Sequence, residues 1–397
     1  MLKTTTDILR DLVAFPTVSS DSNLEMIAYI AQRLEDCGAD VQLFRDLSGK
    51  KANLFATIGP QIDGGLVLSG HSDVVPVVDQ EWATDPFTMV EQDGKLFGRG
   101  TCDMKGFIAA ALAMAPTFAH AQIKRPVHFA FTYDEEVGCI GAGHLMASLE
   151  QMGLRPSVAI IGEPTEMRVI EGHKGCYEYT TRFQGLEGHG SDPDLGVNAV
   201  EYAVRYVAHL LGLKEQLRDM TPANSPFAPP WTTVNVGALQ GGTVHNVIAS
   251  KAHVDWEMRP VQASDAEFIK SELKAYCEDI LLPQMQATFP QSSIKTETVG
   301  EIDGLVPTPE NEARNIVFEL TGCNHAGVVP FGTEAGIYQN SGMDVVVCGP
   351  GSIEQAHKAD EYVAIDQLAK CLAMLENLAA TRAETSPCTQ GGPERVL

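Results

Sequence analysis

The 397-residue chain carries 28 basic and 52 acidic residues, a formal net charge of −24, and 44% of its residues are hydrophobic. That length predicts two domains with substantial apolar cores. The charge argues against nucleic acid or an anionic membrane as partner, since both would be repelled, and leaves cationic small molecules compatible.

No apolar run approaches a membrane span, and the opening stretch MLKTTTDILRDLVAF lacks the continuous apolar core of a secretion signal. A cytoplasmic location is expected. Nine cysteines are scattered, odd in number and never in a C-x-x-C pair, which argues against a disulfide framework and a zinc ribbon. Cys102 lies within a glycine-rich stretch but is expected to be a small buried residue, not a nucleophile.

In chain order, Ile8, Leu9, Leu12 and Val13, then Met26, Ile27, Ile30 and Leu34, recur at helical spacing, with Ser20, Asp21 and Ser22 as candidate caps and Gly38 as a stop. Strands are expected at 41–45, 53–58, 65–69, 127–132 and 157–161, with helices from Phe107 and over 141–152 between some of them. This alternation predicts an α/β layer structure, a mixed sheet flanked by helices. From about Tyr177 the pattern changes to strand 177–184, helix 197–213, strands 231–239 and 246–258, helix 265–280 and strand 293–300, with Ser264 and Glu267 as a capping box. That βαββαβ order predicts a ferredoxin-like α+β insertion over 178–295. The remaining 1–177 and 296–397 are expected to form a discontinuous α/β domain, with 344–348 as another buried strand, a C-terminal helix and 383–397 as a loose tail; 221–231, inside the insertion, and 300–309 are expected as irregular loops.

The chemistry is concentrated at predicted strand ends. In SGHSDVVP, the run Leu66-Val67-Leu68 ends at Gly70, so His71 and Asp73 emerge together. In LFGRGTCDMKG, Gly98, Gly100 and Gly106 surround Asp103. The strand from Val127 runs into Asp134, Glu135 and Glu136, and the strand from Val158 runs into Glu163. A late loop supplies His357. Charged groups at strand exits gather above the C-terminal edge of an open sheet. Histidines and carboxylates brought together there suit a zinc-like ion, and of the adjacent Glu135 and Glu136 one can bind metal while the other reaches a water.

SGHSDVVP, GRGTCDMKG, TYDEEVG, IGEPT, GHGSDPDLGVNA and GPGSIEQAHK, in this order over nearly the whole chain, resemble the motifs of the dinuclear metallo-aminoacylase and carboxypeptidase family. The resemblance implies a two-metal amidohydrolase acting on a small-molecule N-acyl amino acid. It implies two divalent ions, foremost Zn with Co or Mn as alternatives, and a homodimer whose inserted domain serves as lid and dimerisation unit. By motif, Asp103 would bridge the ions, His71 and Glu163 would complete one, and Glu136 and His357 the other. Asp73 would orient His71 and Glu135 would be the general base. His189 in GHGS would stabilise the oxyanion, often from the partner subunit. Asn246 and Arg259, in HNVIASKAHVDWEMRP, match positions that hold the substrate carboxylate, although Ala249 stands where the family commonly has proline. GTEAGIYQ and the segment ending ADEYV are most similar to the branch that removes acetyl groups from an amino acid with a cationic side chain, with Glu334 as candidate partner for that cation. His173, His245 and His253 are expected to be structural. The rivals are another acyl-amino-acid hydrolase, a carboxypeptidase-like enzyme, or a catalytically silent sensor; a base and five ligands together argue against the last, because binding alone needs no water-activating acid.

Overall fold

A computed structural model describes residues 1–121 and 123–382, so the expected tail at 383–397 lies outside the described residues. Its strands are β1 (Asp40–Arg45), β2 (Ala52–Ile58), β3 (Leu66–His71), β4 (Val90–Gln92), β5 (Lys95–Phe97), β6 (Val127–Thr132), β7 (Val158–Pro164), β8 (Val169–His173), β9 (Cys176–Gln184), β10 (Thr233–Gly241), β11 (Lys251–Arg259), β12 (Ser293–Ile302), β13 (Ala326–Val329), β14 (Asp344–Gly349) and β15 (Tyr362–Ala364).

Unbroken apolar runs build the centre of a mixed sheet in the order β1-β2-β6-β3-β7-β14-β8-β13. β3, β6 and β7 are buried along their whole length because helices cover both faces, which is why they read as continuous runs and not as alternation. β6, β3, β7 and β14 run parallel, so their C-terminal ends lie together at one edge. One face packs on helices Leu2–Val13, Leu24–Glu35, Lys105–His120, Glu312–Thr321 and Ile365–Arg382, the other on Ile140–Met152 and Ala335–Asn340. The alanine-rich helix Lys105–His120 lies close to the sheet: a Cβ at Gly162 would sit 2.0 Å from the Phe107 ring. Only glycine permits that approach, and it brings Asp103, just before the helix, over the strand ends.

The second sheet has the order β10-β11-β9-β12, all antiparallel, with helices Ala199–Asp219 and Ala263–Ala275 completing βαββαβ. This is the ferredoxin-like arrangement. Its strands alternate: Tyr177, Tyr179, Thr181 and Phe183 of β9 face the helices while Glu178 and Arg182 face solvent. Tyr179 stacks on Trp256 at 4.6 Å, and this core is a cluster of its own.

Several local expectations are corrected. β11 starts at Lys251, not at 246, because the preceding residues bond to the loop holding His189: Gly190 N donates to Asn246 O at 2.8 Å and Ile248 N to Gly188 O at 2.9 Å. The capping box at Ser264 does not form. The helix begins at Ala263, and the buried Asp265 side chain accepts from Thr232 Oγ1 and from Gln262 Nε2. At the second helix Asn23 holds the N-cap position without capping, its side-chain amide exchanging two 2.9 Å hydrogen bonds with the backbone of Ala52, while the expected Ser22 accepts from Leu24 N at 3.3 Å. Residues 300–302, expected as loop, extend β12. β8, β13 and the ribbon β15-β5-β4 were not anticipated, being short or without periodic pattern. Among the described residues no helix is long and apolar enough to cross a membrane.

Candidate metal centre

The four parallel strand ends deliver their side chains to one place. His71 ends β3, Glu163 lies in β7, Glu135 and Glu136 follow β6, and His357 sits on the loop after β14. Asp103 enters from the glycine-rich turn, where Gly100 has φ +82° and a Cβ would meet Val74 at 2.8 Å. His71 Nε2 lies 2.9 Å from Asp103 Oδ1 and 3.6 Å from Glu163 Oε1. His357 Nε2 lies 3.3 Å from Asp103 Oδ2 and 3.0 Å from Glu136 Oε2. The ligand atoms of His71, Asp103 and Glu136 lie within 4.8 Å of one another, as do those of His71, Glu135 and Glu163.

Four carboxylates thus face two imidazoles in a buried site. Burial, with Asp103 next, pushes the Glu163 pKa well up; burial pushes Glu135 up to about 8 and Glu136 up to about 7. Burial would raise Asp103 as well, but its hydrogen bonds from His357 and His71 hold it well below the usual range. The Asp103 and Glu136 carboxylates push His357 up to about 10; for His71, burial works downward but Asp103 and Asp73 outweigh it. Clustered acids of this kind must keep protons or gain compensating positive charge. Glu163 Oε1 is buried without a hydrogen-bond partner among the described residues. An oxygen-and-imidazole donor set with such an orphaned oxygen fits divalent metal ions.

His71 Nδ1 meets the backbone carbonyl of Asp73 at 2.9 Å, with the Asp73 carboxylate 3.6 Å away. Both face Nδ1 and leave Nε2 facing Asp103. The Asp73 carboxylate also accepts from Ser19 Oγ at 2.7 Å and from the backbone N–H groups of Glu135 and Glu136 at 3.1 and 3.3 Å, a role not expected from the sequence. It holds the acid loop. Lys51 Nζ, 2.5 Å from both Ser19 O and Asp134 Oδ1, ties the same loop from below. Sequence reasoning missed Ser19 and Lys51, and named Asp134 at the strand exit without giving it a role.

The remaining expected site residues are not all brought in. Glu334 is 1% exposed, with its oxygens accepting from Ser69 Oγ at 2.5 Å and Thr132 Oγ1 at 2.8 Å, beside Tyr338. Both oxygens are engaged within the packed chain, which does not fit the expectation that Glu334 meets a substrate cation. Arg259 directs Nε and Nη2 at Glu257 Oε2, at 3.1 and 2.7 Å. Cys176, at the start of β9, has its thiol pushed up to about 11 by burial. His189 and Asn246 are exposed together on the loops of that sheet, His189 Nδ1 lying 2.7 Å from Ser191 Oγ. No described hydrogen bond or ion pair joins either to the metal-ligand cluster. Cys102 is buried with its thiol against Ser352 O at 3.3 Å, and burial raises its pKa well above the ordinary value, as a packing role requires. His173 is buried and held on both nitrogens by Lys174 O and Thr333 Oγ1, and burial brings its pKa down to about 4.

A fold with an acid-and-imidazole cluster at the strand ends and a ferredoxin-like insertion defines a metallohydrolase of linear amides. Residues 67–381 match the model of peptidase family M20/M25/M40, and the chain belongs to that family. It is 36% identical over 365 residues to the acetylornithine deacetylase of Shigella sonnei (strain Ss046), covering 90% of this chain and 92% of that protein. Among solved structures, an M20 family metallo-carboxypeptidase of Sulfolobus solfataricus superposes with a TM-score of 0.71 at 17% identity, covering 94% of this chain and 98% of that one. A tripeptidase of Staphylococcus aureus gives a TM-score of 0.70 at 20% identity, with 96% and 99% covered.

Proposed function

We propose that this protein removes the acetyl group from N2-acetyl-L-ornithine, giving L-ornithine and acetate. The convergence of His71, Asp103, Glu136, Glu163 and His357 around a site that also contains Glu135 carries the chemistry. The likeness to the Shigella sonnei deacetylase supports the substrate. In this reading His71 and Glu163 would hold one ion, Glu136 and His357 the other, and Asp103 would serve both. Two divalent cations, Zn foremost with Co or Mn as alternatives, would polarise the acyl carbonyl and lower the pKa of the attacking water.

Glu135 takes the water proton as the oxygen bonds to the acyl carbon, then returns it to the amine nitrogen as the C–N bond breaks. Asp73 fixes the backbone from which Glu135 projects. Arg259 would bind the substrate carboxylate with its planar fork, exchanging Glu257 for the ligand. His189 and Asn246, exposed on paired loops, would complete the site when the lid unit meets it, His189 from the partner subunit of a homodimer. The domain division proposed is 1–177 with 296–397 for catalysis and 178–295 for the lid, supported by the separate cores; the second sheet itself extends over Cys176–Ile302. A cytoplasmic setting, with no nucleic acid and no membrane as partner, accords with the net charge of −24.

The test is a purified-enzyme screen of N2-acetylornithine, succinyl-diaminopimelate, acetylated acidic amino acids and short peptides, with each metal restored in turn. The highest kcat/KM on acetylornithine is expected. A clear preference for another substrate overturns the substrate assignment, and no turnover of any leaves the sensor reading.

A further inference from the structure

Beside the metal-ligand cluster lies a second buried charged group that the chemistry above does not use. Glu361 and Arg99 are each 1% exposed and pair at 2.7 Å. One carboxylate serves four donors: Glu361 Oε1 accepts from the backbone N–H of Cys102 and Asp103 at 2.9 and 3.0 Å, and Oε2 from Gly100 N at 3.1 Å as well as from Arg99. Glu361 therefore grips the turn that presents Asp103.

Arg99 reaches the opposite way. Its Nη1 also donates to Lys358 O at 3.2 Å, and its Nη2 donates to Gln80 Oε1 at 2.6 Å, with the guanidinium 5.0 Å above the Trp82 ring. Gln80 Nε2 then donates to the backbone carbonyl of His357 at 2.8 Å. His357 has φ +63°, a left-handed conformation that a non-glycine residue keeps only when its surroundings hold it. Pairing of β15 with β5, extended by Gly98 N to Glu361 O at 2.9 Å, anchors both loops to one ribbon.

We propose that Glu361, Arg99 and Gln80 act as a positioning clamp that sets the His357 loop against the Asp103 turn. This rests on the two-metal reading. A buried ion pair is a poor stabiliser compared with apolar packing, because desolvation offsets its attraction. Here the rest of the Glu361 carboxylate is spent on the main chain of the Asp103 turn, and the Arg99 fork on Lys358 O and Gln80, its buried Nε having no partner among the described residues, so the pair specifies a distance between loops. Ligands from loops far apart in sequence must be held within about half an ångström for the site to work.

The experiment uses Gln80→Ala, a half-buried loop residue whose loss spares the core, and Glu361→Gln. Metal-free wild type and variants are titrated with Zn(II) or Co(II) by calorimetry, melting temperature is measured, and amide hydrogen exchange is followed in the metal-free proteins. Gln80→Ala should weaken one of the two ions by about tenfold or more while leaving the other within about twofold. It should speed exchange at 356–361. Glu361→Gln should weaken both ions, since both depend on Asp103, and speed exchange at 99–103. Wild-type affinities and exchange in both variants overturn the clamp, as does uniform weakening of both ions by Gln80→Ala with a lowered melting temperature, the mark of a merely structural role. If wild type itself binds no ion, the two-metal reading fails. Exchange then decides alone: acceleration confined to the two loops supports the clamp, and unchanged exchange overturns it.

Discussion

His357 Nε2 lies 3.3 Å from Asp103 Oδ2, on the oxygen opposite the one that His71 reaches at 2.9 Å. One carboxylate thus faces two imidazoles from two sides, the geometry of a bridging ligand. Asp103→Ala should therefore abolish binding of both ions, whereas His357→Ala should remove one. Elemental analysis after dialysis against a limiting metal buffer measures this, and equal stoichiometry in the two variants would show that Asp103 does not bridge.

Glu135 stands among the ligands, but its backbone N–H is held by Asp73 and its side chain also receives the Cys139 thiol at 3.4 Å. Glu135→Gln should retain both metals while lowering kcat on the order of 100-fold or more. Glu136→Gln should weaken one metal. The reverse pattern would exchange their roles.

The metal-free protein should lose stability as the pH is raised. Glu135, at about 8, Glu136, at about 7, and His357, at about 10, all bind their protons more tightly when folded than at their ordinary values of 4.5 and 6.5. Their contribution is complete below those ordinary values and is lost as the pH passes the folded ones. Asp103, shifted the other way, contributes above its ordinary 3.8 and loses that contribution only in acid. Melting temperature of the metal-free protein should thus fall from about pH 4.5 to about pH 10, most steeply near pH 7 where all three groups differ between folded and unfolded states, and bound divalent metal, by displacing these protons, should flatten the slope. Calorimetry in buffers of different ionisation enthalpy should detect proton release on metal binding. A pH-independent melting temperature without metal would contradict the charge balance of the site.

Glu334 belongs to the foundation of the site. Glu334→Ala takes from the hydroxyls of Ser69 and Thr132 their shared acceptor, at about 1–3 kcal/mol for each buried group left unsatisfied. Denaturant unfolding should show a large loss of stability, with the ratio of kcat/KM for acetylornithine over acetylated acidic amino acids unchanged in the folded fraction. A selective loss of acetylornithine turnover at wild-type stability would return Glu334 to the substrate pocket.

His189 is exposed and joined to the metal-ligand cluster by no described hydrogen bond or ion pair. Mixing inactive His189→Ala with inactive Glu135→Gln subunits should restore activity through hybrid dimers. No recovery after verified subunit exchange would place its action within one chain, or nowhere in the reaction.

The gathering of acids and imidazoles was legible in the sequence where a residue ends an apolar run, since a run buried on both faces announces the strand that carries it. His71 after Leu66-Val67-Leu68 and Glu163 after Val158-Ala159-Ile160-Ile161 are of this kind. The βαββαβ insertion was legible too, since strands with one wet face alternate and amphipathic helices do not. What required tertiary structure is where each polar group spends its hydrogen bonds. Asp73 and Glu334 both lie near ligand motifs, yet one carboxylate caps the Glu135–Glu136 backbone and the other is enclosed by Ser69 and Thr132 from other strands. Arg259 is tied to Glu257, two residues away on its own strand, and Arg99 and Glu361 meet across the chain. A local pattern records which face a residue takes, because that depends on periodicity; it carries no record of the partner, because a buried charge is matched by whichever donor the packed chain brings within 3 Å.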